Sequence, residues 1–183
     1  MKAKSKEASG QFPARVRAKS VPGKPQELWM EITQLLGARA ALIEIRGHEF
    51  KVETAKERAS RKNAVSWGGI PLDLAAQLFI DQIPCPNEAE LMRLTWAWTP
   101  DDQLEGRDEG GEAIWRFGLR KWNLQPWVEK VFWRIAADKT LELNRDDPDP
   151  AEGWARRWEI QSPVGQVKVR WKDREKIELK EES

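Results

Sequence analysis

The sequence predicts an α+β fold: about three helices with a mostly antiparallel sheet, arranged as helix–hairpin units followed by a C-terminal meander around a Trp-rich core. Three observations predict it. Eleven of the 183 residues are Trp and none is Tyr, so the core is built from the largest apolar side chain, whose one polar handle is an N–H donor. Apolar residues switch along the chain between helical spacing and strict alternation. Pro25, Pro71 and Pro126 each stand where a helix-then-hairpin stretch opens.

Residues 1–25 carry Lys2, Lys4, Lys6, Arg15, Arg17, Lys19 and Lys24 against Glu7 alone, in a chain whose net charge is +1. With prolines, serines, glycines and little to bury, this segment cannot offset its ordering entropy, and it is expected to be a disordered basic tail. Residues 26–183 then form a single α+β domain. In the run 26–36, Leu28, Ile32, Leu35 and Leu36 fall at helical spacing and Gly37 ends the helix. Ala41, Ile43 and Ile45, then Phe50 and Val52, alternate about Gly47-His48 as a hairpin. The stretch 54–63 is polar and basic (Lys56, Arg58, Arg61, Lys62), a solvated helix or connection extending the cationic footprint.

The second helix opens at Pro71 and is apolar nearly all round, which predicts a place in the core or against a partner. From Leu91 to Trp98, and from Ala113 to Leu119, alternation predicts two strands; pairing would bring three Trp and one Phe onto one face. Pro126 opens the third expected helix, with Trp127, Val131 and Ile135 at i, i+4, i+8. Beyond it Leu141 and Leu143, then Trp154, Trp158 and Ile160, then Val167, Val169 and Trp171, and lastly Ile177 and Leu179 read as successive strands separated by turn residues at 146–150 and 162–165.

Composition closes many catalytic routes. Without Tyr, no tyrosine nucleophile exists; with His48 and Cys85 single, two-histidine chemistry, HExxH metalloprotease sites and cysteine-built zinc sites lack ligands. No Gly-rich phosphate loop occurs. The acidic stretch 101–112 matches a calcium loop at Asp101, Gly106 and Glu112 but fails between them, and reads as a long hairpin loop able to meet an ion or a partner. Asp149 and Glu159-Ile160-Gln161 loosely resemble the metal-holding spacing of PD-(D/E)xK nucleases, with glutamine in the lysine position; Glu178-Leu179-Lys180 is a second acidic-x-Lys.

The sequence therefore predicts a non-enzymatic accessory or adaptor protein, without cofactor or metal, whose basic tail engages nucleic acid, a nucleoprotein assembly or another polyanion. The nucleic-acid contacts are expected at Lys2, Lys4, Lys6, Arg15, Arg17, Lys19, Lys24, Lys56, Arg58, Arg61 and Lys62. Trp29, Trp67, Trp122 and Trp154, which fall off the periodic pattern, are the expected exposed aromatics. The alternatives are a protein–protein assembly subunit without nucleic-acid contact and, third, a metal-dependent nuclease. A protein partner is expected under either binding reading. No stretch is long and apolar enough to span a bilayer and no secretory signal is evident, so a cytoplasmic protein with no membrane contact is expected.

Overall fold

A computed structural model describes residues 2–5, 9–19, 26–34, 38–54, 58–61, 66–67 and 70–175. In chain order the elements are β1 (Lys2–Ser5), β2 (Ser9–Gln11), β3 (Ala14–Lys19), β4 (Glu27–Thr33), β5 (Arg39–Arg46), β6 (Glu49–Thr54), β7 (Arg58–Arg61), β8 (Ser66–Trp67), β9 (Ile70–Pro71), α1 (Leu72–Phe79), α2 (Glu88–Arg93), β10 (Thr95–Trp98), β11 (Gln103–Arg107), β12 (Ala113–Trp122), β13 (Gln125–Ala136), β14 (Lys139–Pro148), β15 (Ala155–Ser162) and β16 (Gly165–Arg170). Strands β3 to β7 form a five-stranded antiparallel sheet in sequence order. A nine-stranded antiparallel sheet runs β10 to β16 in sequence order and then continues through β1 to β2.

The expected α+β fold with three helices is thus corrected to a mainly β architecture with two short helices among the described residues. The run 26–36 is not a helix. Leu28, Met30 and Ile32 turn to one side of β4 while Glu27, Trp29 and Glu31 turn to the other, and the strand bonds to a neighbour on each side. An i, i+4 pair such as Leu28 and Ile32 fits either period; Met30 between them, with no exposure at all, selects the strand.

The helix expected after Pro126 is strand β13, paired along its length with β12 and β14. Gly118 faces Lys130 and Leu119 faces Val128, so Glu129 is an extra residue in β13. Such a bulge shifts the side-chain phase by one. Apolar positions then fall three and four apart, which imitates a helix.

Other expectations also change. The stretch 54–63 contributes β7, hydrogen-bonded to β6. The acidic stretch 101–112 is not one loop, because Gln103–Arg107 forms β11 between β10 and β12. Within the basic N-terminal segment, residues 2–5, 9–11 and 14–19 are strands β1, β2 and β3, paired into the two sheets. Leu91 and Met92 belong to α2, which a capping box opens: Asn87 Oδ1 accepts from the Glu90 N–H and Glu90 Oε2 from the Asn87 N–H. The hairpin about Gly47-His48 and the meander β14 to β16 form as the alternation predicts. Ile177 and Leu179 lie outside the described residues.

Helix α1 joins the two sheets. Leu72, Leu74, Ala75, Ala76, Leu78 and Phe79 are all buried, in one cluster with Leu28, Met30, Ile43 and Ile45 of the smaller sheet and Trp115, Val131, Leu143, Trp158 and Ile160 of the larger. Phe79 meets Trp158 and Trp171 edge-to-face, with centroids 5.3 and 6.1 Å away. An isolated helix of eight residues is unstable in water. Here each fully buried aliphatic side chain contributes about 1.5–3 kcal/mol, so burial on all sides sustains it.

A buried ion pair closes the helix. Ile80 is the C-cap, and the Asp81 and Gln82 N–H groups donate to the Leu78 and Gln77 carbonyls, a Schellman closure. Asp81 adopts the left-handed conformation at φ 63°, where glycine is usual. Its carboxylate receives Arg145 Nη2 at 2.6 Å, Arg145 Nε at 3.3 Å and the Ala155 N–H at 3.1 Å. Arg145 Nη1 donates to the Val128 carbonyl at 2.6 Å. The Arg145 guanidinium also lies 4.7 Å from the Trp127 ring, with Arg120 4.5 Å from the same ring.

Candidate functional site

The basic residues singled out by sequence divide among several places. Lys6, Lys24, Lys56 and Lys62 lie outside the described residues. Lys2 and Lys4 are positions of β1, paired with Lys168 and Gln166 of β16. Arg15, Arg17 and Lys19 alternate along β3 and are exposed. Across the ladder they meet Glu31, Trp29 and Glu27 respectively. Arg58 and Arg61 are on β7, at the opposite edge of that sheet. Arg58 is 2.7 Å from Glu53, which also takes Arg39 at 3.3 Å, while Arg46 lies 3.7 Å from Glu27. The hydrogen bond and charge of Arg58 hold the Glu53 carboxyl below the usual glutamate range. The outer face of this sheet is therefore a checkerboard of both signs, which weakens its field at a distance.

The expected exposed tryptophans are each covered in part where their side chains are described. Trp29 is half-buried with the Arg17 guanidinium 5.5 Å from its ring centroid. Trp122 lies over Gly153, which is left-handed at φ 73°; a Cβ there would stand 2.8 Å from the indole. Trp154 carries Arg174 at 5.1 Å from its ring. Trp67 is a position of β8, paired with Ile70.

The acidic candidates do not converge. Asp149 closes its own turn, accepting from the Ala151 and Glu152 N–H groups at 3.0 and 3.1 Å. Glu159 binds Lys168 and Gln161. Asn144 faces Glu159 and the Asp149 N–H donates to the Trp154 carbonyl, so the two carboxylates are separated by roughly five residues of strand, about 17 Å. They cannot share a metal ion. Within 101–112, Glu105 is buried and clamped by Arg116 at 2.6 Å and Arg107 at 2.8 Å. Burial would raise its pKa, but the hydrogen bonds from Arg116 and Arg107 outweigh it and hold the carboxyl below the usual glutamate range. Glu112 pairs with Arg134 at 2.8 Å. No group of three potential metal ligands occurs among the described residues.

The unbalanced surface lies elsewhere, on β10. Four strands bound the two larger sheets: β10 and β2 in one, β3 and β7 in the other. Strands β3 and β7 carry cations and β2 is Ser-Gly-Gln, whereas β10 reads Thr-Trp-Ala-Trp. Natural edges are blunted by charge, proline or a bulge; β10 has none. Trp96 lies back over Gly106, where a Cβ would come within 2.7 Å of the indole, and its Nε1 donates to the Leu91 carbonyl. Its ring stacks near Phe117, which stacks on Trp115, which stacks on Trp133 at 4.9 Å. Trp98 sits at the strand's end and is 61% exposed; in α2, which precedes the strand, Leu91 is 49% and Met92 85% exposed.

Sequence alternation had put Trp98 on the same face as Trp96, and the register keeps it there. Alternation identifies a face but not which strand is last in a sheet, so the exposure of Trp98 was not readable. The intercalation of β11 between β10 and β12 also replaces the direct pairing that the two Trp-rich strands suggested.

By fold and site the chain is an antiparallel β protein with a core helix and an apolar, unprotected sheet edge. No family model matches it, and no curated protein matches it either. Among the described residues no helix is long and apolar enough to cross a membrane.

Proposed function

We propose that the protein is a non-enzymatic assembly subunit that recruits a protein partner by strand addition along β10. The supporting observation is the composition of that edge, two tryptophans and no charge, with Trp98 exposed on it. Strand addition draws affinity from main-chain hydrogen bonds and specificity from alternate side chains. Exposed aromatic anchors are what such interfaces concentrate. The test is a pull-down with the whole chain and with Trp98→Lys, which puts a charge on the edge while leaving the main-chain hydrogen bonds to β11 in place. A partner retained by the natural chain, lost with Trp98→Lys and indifferent to nuclease treatment is the expected result.

A second reading, nucleic-acid binding by the N-terminal cations, is favoured by one observation: Arg15, Arg17 and Lys19 line one side of an edge strand and are exposed. Glu27 and Glu31 opposite them put this reading second. It expects duplex DNA binding whose log affinity falls steeply with log salt, and loses most of that slope in Arg15→Glu/Arg17→Glu/Lys19→Glu. A nuclease-sensitive pull-down with that slope would replace the first reading.

A further inference from the structure

We infer that the occupant of the β10 edge is a second copy of this chain, paired antiparallel about a two-fold axis at Ala97; the inference rests on β10 being an interaction edge. The hydrogen-bond pattern fixes the register. The Thr99 N–H donates to the Gln103 carbonyl, and Thr95, Ala97 and Thr99 alternate with Trp96 and Trp98. In an antiparallel ladder the main-chain groups of alternate residues point to opposite sides. Those of Trp96 and Trp98 therefore point away from β11, towards open solvent.

The neighbouring positions have no donor to offer. The Leu94 N–H is already given to the Glu90 carbonyl, and Pro100 has none. A strand that satisfies both free donors by pairing with an identical strand sets Trp96 opposite Trp98 of the second copy, and Trp98 opposite its Trp96. Four main-chain hydrogen bonds result. Each exposed Trp98 ring gains the other copy's Trp96 as its cross-strand neighbour, an aromatic pair on one face.

The charges at the strand ends agree with this register. Arg93 precedes β10 and Asp101 follows it; both are exposed, and neither takes part in any ion pair among the described residues. Continuing the pairing outward brings Arg93 of each copy to the Asp101 end of the other. A parallel arrangement would bring like charges together. The edge is complementary to itself in hydrogen bonding, aromatic surface and charge, which is what an isologous dimer requires.

The experiment is sedimentation of the full chain together with site-directed cross-linking. In a Cys85→Ser background, Ala97→Cys is expected to form a disulfide-linked dimer on mild oxidation, since residues facing each other across a non-hydrogen-bonded pair lie about 4.5 Å apart at Cα. Thr95→Cys is expected not to, because its counterpart is displaced by about 13 Å along the strand. Arg93→Glu should weaken the dimer several-fold and Arg93→Glu/Asp101→Arg should restore it. A chain that stays monomeric at about 100 µM, or dimers that fail to cross-link at position 97, would overturn the inference. If the chain is monomeric yet Trp98→Lys still abolishes partner capture, strand addition stands and the second copy falls; if Trp98→Lys changes neither mass nor capture, both fall.

Discussion

Asp81 does two incompatible things well because one offsets the other. A non-glycine residue in the left-handed region costs about 1 kcal/mol, while its carboxylate neutralises a guanidinium that is 5% exposed. Replacing it by Asn preserves the turn conformation and an acceptor for the Ala155 N–H but leaves Arg145 buried and unpaired. Asp81→Asn is expected to destabilise the fold by about 3–5 kcal/mol, and Asp81→Asn/Arg145→Met by clearly less, because removing both charges removes the unpaired one. Urea unfolding of the cycle measures this. Acid behaves differently. Glu105 and Glu159 are held low against burial by their cationic partners, and Asp147 is held low by hydrogen bonds from Arg156 and Arg157. A carboxyl whose folded pKa is depressed contributes stability that is complete above its unfolded value of about 4 and disappears as pH falls through the folded value. Glu105→Gln should therefore flatten the loss of thermal midpoint between neutral pH and the region below pH 4, and midpoints at descending pH would show it.

At the scale of elements, the close approach of β10 and β11 depends on Gly106. The expected effect of Gly106→Ala is a loss of about 1–3 kcal/mol from overpacking against Trp96, with Trp96 more accessible to acrylamide quenching. How far the sequence disclosed its elements follows from the same local rules. The hairpin at Gly47-His48 and the β14 to β16 meander were legible because each keeps one period between clear turn residues, and helix α1 because Pro71 opens an apolar run. Strand β4 was misread because Leu28 and Ile32 satisfy both periods, and β13 because the bulge at Glu129 breaks the alternation that defines a strand. The site was less legible than the fold: the exposure of Trp98 comes from being last in the sheet, and strand order is a property of the whole topology.

For the whole molecule, the shared core predicts one cooperative unit. Met30 of the smaller sheet is fully buried in the cluster that contains Trp115 and Trp158 of the larger. Met30→Ala should cost about 2–5 kcal/mol and lower the unfolding midpoint equally by far-ultraviolet circular dichroism and by tryptophan fluorescence, although nine of the tryptophans lie between residues 96 and 171. Separate transitions would mean that α1 does not couple the two sheets.

The pairing of Lys2–Ser5 with Gly165–Arg170 carries a consequence for the order of events in the cell. A ribosome makes β1 long before it makes β16, whereas β10 to β16 can zip hairpin by hairpin as they emerge. The nascent chain must therefore keep the other edge of its β1–β2 pair free while the rest of the larger sheet is translated, and docking of β1 on β16 falls among the last steps. Contacts so distant in sequence are slow to form, so the β16 edge stays open to other strands during that interval.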